Sequence, residues 1–204
     1  MTKIEEPLPK ELTDIMDITE FENEAGIVID SVIFNTYELY LNFSFRYYDE
    51  TPPKKWRLTV GHAKEERIVR DWTSCIALYK QHPRLLEYTD AHTELYFNGT
   101  STQSLNLFAD IYKSLQTLTD NLDELKGYVL GPCTTEALCQ QGYGLFARGP
   151  KTILMLYQQC LIKHGIHSYF VGKREALAED STAKLFTLGD SYIIGQDFHF
   201  ERIS

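Results

Sequence analysis

Two five-residue stretches share one pattern: Asp90-Ala91-His92-Thr93-Glu94 and Asp197-Phe198-His199-Phe200-Glu201 both read Asp-x-His-x-Glu. In an extended strand successive side chains alternate between faces, so the three polar groups of each stretch share a face, roughly 7 Å apart along the strand. Were the two strands neighbours, two imidazoles and up to four carboxylates would converge. Mixed nitrogen and oxygen ligands suit Zn, Mn or Fe, and an uncoordinated carboxylate can serve as the base toward a metal-bound water. His92, Glu94, His199 and Glu201 are therefore the candidate ligands of a metal-dependent hydrolase, with a divalent metal as its cofactor. The plainer reading needs no cofactor, since a half-solvated sheet carries polar residues at alternate positions anyway, with Phe198 and Phe200 turned to the core.

Other reactive constellations fall short on spacing. His92 and Glu94 with Pro132-Cys133 and Cys139 miss the zinc deaminase pattern, because five residues instead of two lie between the cysteines. Gly172-Lys173-Arg174 lacks both the upstream glycine and the following hydroxyl of a phosphate loop, and no Gly-x-Ser-x-Gly elbow occurs. Cys160 and His164 stand one helical turn apart, yet Cys160 lies on an apolar stripe where a thiol is a small core filler. His164 and His167 flank Gly165 at a helix end, where an imidazole can bond the last carbonyls. Cys75, Cys133, Cys139 and Cys160 are not spaced as a disulfide scaffold and read as free thiols.

Surface chemistry points to binding instead. The chain of 204 residues holds 13 Tyr and 11 Phe, and Tyr40 and Tyr48 fall on the polar face of their strand with Arg46 between them. Tyrosine offers a large rigid contact with one polar tip, so Tyr40, Arg46 and Tyr48 are the candidate partner-binding residues. Of the net charge of -9, residues 1–30 hold nine acids against two bases, which leaves the rest close to balance. No Lys and Arg cluster resembles a phosphate footprint, and an acidic leading segment is repelled by nucleic acid and anionic lipid. The acidic segment reads as an N-terminal arm, either a docking strip for a basic partner or a solvated terminus. Apolar runs are too short for a membrane-spanning helix and Met1 to Pro9 has no secretory apolar region, so the expected location is cytoplasmic.

The elements that must position these groups follow from periodicity. Gly26 to Phe34 and Leu39 to Tyr47 read as an antiparallel hairpin, and Trp56 to Val60 as a further strand. Shorter strands follow near Arg67 to Trp72, Cys75 to Tyr79 and Glu94 to Phe97. Leu105, Phe108, Ile111, Tyr112, Leu115, Leu118, Leu122 and Leu125 recur at helical spacing. A second helix is expected from Thr134 to about Ala147, and a third between Pro150 at its start and Gly165 just past its end. Ile166 to Val171 reads as a strand, and Ala183 to Leu188 with Tyr192 to Glu201 as a closing hairpin. The expectation is an α+β fold, mainly antiparallel sheet with a three-helix segment inserted before a C-terminal hairpin, comprising an arm over 1–24 and one domain over 25–204. The leading functional expectation is a non-enzymatic intracellular protein-interaction module, toxin-neutralising or regulatory, without a cofactor. The metal-dependent hydrolase is the alternative.

Overall fold

A computed structural model describes residues 3–16, 25–48, 51–119, 142–174 and 182–203. The fold is α+β with antiparallel sheets, and the chain divides into two compact units. Thr2–Leu85 and Thr182–Ser204 form a sandwich unit, and Leu86–Ser181 form a helical unit.

The sandwich unit contains β1 (Ile4–Glu6), α1 (Lys10–Met16), β2 (Ala25–Phe34), β3 (Glu38–Tyr47), β4 (Lys54–Gly61), β5 (Glu65–Arg67) and β6 (Ile76–Gln81) from the first part of the chain. In β3 every second residue from Leu39 to Phe45 is buried, and these meet Trp56, Leu58 and Val60 of β4 in register. Burial of side chains this size contributes about 1.5–3 kcal/mol each, which fixes the register against a one-residue slip that would turn them all to water. The acidic arm is partly built into this unit: β1 pairs with β6, Leu12 and Ile15 of α1 enter the core, and Glu6 forms an ion pair with Lys184 at 2.8 Å. The arm's residues 17–24 lie outside the described residues.

The helical unit holds α2 (Leu86–Thr89), β7 (His92–Asn98), α3 (Ser104–Thr119), β8 (Tyr143–Pro150), α4 (Lys151–Lys163) and β9 (His167–Arg174). Its sheet has the order β8-β7-β9, and Leu95 and Phe97 share a core with Leu107, Ile111, Ile153, Tyr157 and Leu161 from α3 and α4. Two expectations are corrected here. The buried row of α3 is Leu107, Ile111 and Leu115, while Leu105 and Tyr112 are exposed; Leu122 and Leu125 lie outside the described residues. Of the expected second helix, 134–141 lie outside the described residues and Tyr143–Ala147 belong to strand β8. Pairing with β7 buries Phe146 and Ala147, and Gly142 and Gly144 take positive φ values that no right-handed helix uses.

Helix α4 matches its punctuation closely. Pro150 precedes the first turn, and Gly165 adopts φ 74 just past the end. There Gly165 N–H donates to Ile162 O at 3.0 Å and Ile166 N–H to Leu161 O at 2.9 Å, the bond pair of a Schellman closure. The N-terminus is capped from another element, since Thr152 N–H donates to Asp90 Oδ2 at 2.7 Å and Lys151 N–H to Ala91 O at 2.8 Å.

The closing segment forms three strands, β10 (Lys184–Leu188), β11 (Ser191–Gly195) and β12 (Asp197–Arg202). They return to the sandwich unit and split between its sheets, β1-β6-β10-β11-β5 and β12-β4-β3-β2. The stretch expected as one strand from Tyr192 to Glu201 therefore changes sheet at Gln196, whose N–H bonds Gly61 O at 3.1 Å. Phe198 and Phe200 of β12 meet Phe186 of β10 at ring-centroid distances of 6.5 and 5.7 Å, joining the two inner faces. Among the described residues no helix is long and apolar enough to cross a membrane.

Candidate functional site

The two Asp-x-His-x-Glu stretches do not pair with each other as strands. Strand β7 pairs with β8 and β9, whereas β12 pairs with β4 in the other unit. The expected convergence of His92, Glu94, His199 and Glu201 thus lacks the strand pairing it required, because strand order is set by core packing and not by a shared local pattern. The groups of the first stretch have other partners. Asp90 precedes β7 and caps α4, His92 Nε2 lies 2.9 Å from Glu87 O, and Glu94 binds Arg148 at 2.8 Å while accepting from the Tyr96 hydroxyl at 3.0 Å. That last bond raises the Tyr96 pKa above its ordinary value. Among the described residues no group of three or more His, Cys, Asp or Glu side chains is placed to share an ion.

His199 and Glu201 instead join the residues singled out for binding. Registers across β2, β3, β4 and β12 place Ile33, Tyr40, Thr59 and His199 in one row on the face turned away from the sandwich core, and Ser31, Asn42, Arg57 and Glu201 in the next. The rows are tied together. Arg57 donates from Nε to Asn42 Oδ1 at 2.9 Å, approaches Glu201 at 3.5 Å, and lies 5.9 Å from the centroid of the Tyr40 ring. Asn42 in turn donates to Ser31 Oγ at 2.8 Å. The Tyr40 hydroxyl donates to the Glu38 carboxylate, and this bond holds the Tyr40 pKa above the usual value.

Further along the same face, a bulge in β2 at Asp30 carries a second network. Asp30 Oδ1 accepts from Arg46 Nη2 at 2.8 Å and from Ser44 Oγ at 3.2 Å, and Arg46 Nε donates to Ser44 Oγ at 3.1 Å. Arg46 is thereby held in one orientation with its outer edge exposed. Next to it, Tyr48 stacks on Trp72 with centroids 5.3 Å apart and planes 14° off parallel. Tyr48 is 66% and Trp72 41% exposed, so the pair forms an aromatic ledge open to solvent.

Trp72 is the site residue that the sequence reading missed. It lies in the connection before β6, and Thr73 exchanges backbone bonds with Ile27 at 2.7 and 3.2 Å. These bonds carry the indole over Gly26, where any Cβ would overlap the ring. A glycine at the second position of a strand was the available signal, because glycine inside a strand marks close approach by another group.

The remaining sequence candidates are structural in their contacts. Cys160 is buried, with its sulfur 3.5 Å from Ser114 Oγ, and His164 binds Asp110 at 2.8 Å across the two helices. Asp110 also accepts from Lys163 at 2.8 Å, and the Lys163 and His164 bonds together hold its carboxyl below the usual range. Cys75 is an exposed free thiol, and Cys133 and Cys139 lie outside the described residues. No family model, curated protein or solved structure matches this chain.

Proposed function

We propose that the chain is a non-enzymatic protein-interaction module that binds its partner on the outward face of the four-stranded sheet. The observation that carries this reading is the exposed Tyr48–Trp72 stack beside an Arg46 held by Asp30. Aromatic rings and arginine are the side chains that most often anchor protein interfaces, and both are pre-oriented here, which lowers the entropy cost of association. Tyr40 and Arg57 extend the surface as a second aromatic and cationic pair, with His199 and Glu201 at its far edge. A toxin-neutralising or regulatory role belongs to this reading.

The test is site-specific photo-crosslinking in the full chain. A crosslinking side chain at Tyr40 is expected to trap one partner, and Arg46→Glu or Trp72→Ala is expected to abolish the product. A probe at Lys80, on a strand of the other sheet, serves as the control. Equal trapping from Lys80, or a product indifferent to both substitutions, contradicts the assignment.

A further inference from the structure

At the tip of the β2–β3 hairpin, a cavity of about 370 Å³ opens between Phe34, Tyr37, Leu39, His62, Ala63 and Glu66. That volume is within the ~300–1,000 Å³ usual for small-ligand sites. Its walls are fixed by backbone bonds: Asn35 N–H to Glu38 O at 2.8 Å, His62 N–H to Tyr37 O at 3.1 Å, and Lys64 N–H to Ile194 O at 2.8 Å. His62 closes its own turn at a φ of 52, an uncommon conformation outside glycine that the bond to Tyr37 O helps to hold.

The chemistry of the lining is selective. Phe34 and Tyr37 are 60% and 76% exposed, so the hairpin tip presents open aromatic surface. Glu66 stands opposite Ile193, a core residue, so its carboxylate leaves β5 on the core side of the sheet, and it forms no ion pair among the described residues. Glu38 also borders the cavity, with its carboxylate bonded to the Tyr40 hydroxyl, and Lys64 is the one ammonium in the lining. A mixed lining that pairs the Phe34 and Tyr37 rings with the Glu66 carboxylate suits a side chain with an aliphatic stem and a cationic head. Guanidinium fits best, since it is flat, weakly hydrated, stacks on rings and meets carboxylates in bidentate fashion.

We propose that this cavity takes an arginine side chain of the partner protein, an assignment that rests on the chain being a protein-binding module.

The experiment titrates the isotope-labelled full chain with Nα-acetyl-arginine N-methylamide and follows amide shifts. Shifts confined to 34–39 and 61–66 are expected, with affinity falling about fivefold in Glu66→Gln and again in Tyr37→Ala. Glu66 and Tyr37 are exposed, and a dispersed spectrum confirms that each variant is folded. Shifts centred elsewhere, an affinity unchanged by Glu66→Gln, or equal binding of the acetyl-glutamate or acetyl-lysine derivative would overturn the proposal. Arg46→Glu and Trp72→Ala are expected to leave this binding intact, so the cavity and the sheet face can fail independently.

Discussion

Replacing Gly26 with alanine places a methyl group where the Trp72 indole lies. The added Cβ would overlap Nε1 and Cε2 and stand 2.7 Å from Cζ2, against the ~3.5–4.0 Å of ordinary carbon contact. The ring must therefore move off the sheet. Losing the stack on Tyr48 costs about 0.5–1.5 kcal/mol. Uncovering on the order of 100 Å² of indole adds about 2.5 kcal/mol. A destabilisation of about 2–4 kcal/mol is expected, the upper end applying if the ring finds no new contact. In a Trp72→Ala background the sign reverses. Gly26 lies outside the left-handed region, so alanine there is unstrained and stabilises by about 0.4–1 kcal/mol through the unfolded chain. The assay is denaturant unfolding of the four proteins of this cycle, read by far-ultraviolet circular dichroism because two of them lack Trp72. In Gly26→Ala itself, tryptophan emission supplies a local readout, with Trp56 as the buried reference and Trp72 the reporter that shifts to the red. Equal costs for Gly26→Ala in both backgrounds would refute the packing argument.

Two further outcomes concern the helical unit. Asp90→Ala should cost about 1–2 kcal/mol by uncapping α4, and Asp90→Asn less, because an amide oxygen still accepts from Thr152 N–H; hydrogen exchange at the Thr152 amide reads the loss directly. Asp110 has its pKa lowered in the folded state by the bonds from Lys163 and His164, so its contribution to stability is present above the unfolded value of 3.8 and is lost as pH falls through the folded value. An acid titration followed by circular dichroism should therefore show a stability loss below about pH 4 that Asp110→Asn lacks, and an identical slope in the two proteins counts against the clasp.

The sandwich hairpin was readable in advance because one strong constraint repeats along it: every second residue from Leu39 to Phe45 is apolar, and a one-residue slip exposes them all. Helix α4 was readable for a different reason, since Pro150 and Gly165 are conformational signals that act locally. Periodicity alone runs the stripe of α3 through Leu105 and Tyr112 because two overlapping apolar rows lie along that helix, and only the position of the sheet selects Leu107, Ile111 and Leu115. Strand β8 escaped because its identity comes from its neighbour β7, and Leu145, Phe146 and Ala147 do not alternate. For the site, period two put Tyr40 and Arg46 on one outward face. The Trp72 ledge depends on a residue 46 positions from Gly26 in the chain, and no local pattern reports that. The partners of the two Asp-x-His-x-Glu stretches are set in the same non-local way.

Strand β6 pairs directly with β10, although Gln81 and Lys184 are separated in the chain by the whole helical unit. During synthesis β6 therefore leaves the ribosome with one edge unmatched and waits until the helical unit has been made before its neighbour arrives. A bare strand edge is a template for wrong partners, and pairings this distant in sequence form slowly. Between the translation of Gln81 and Lys184 this edge stands open to wrong pairing, and slowing elongation there should lower the yield of folded sandwich.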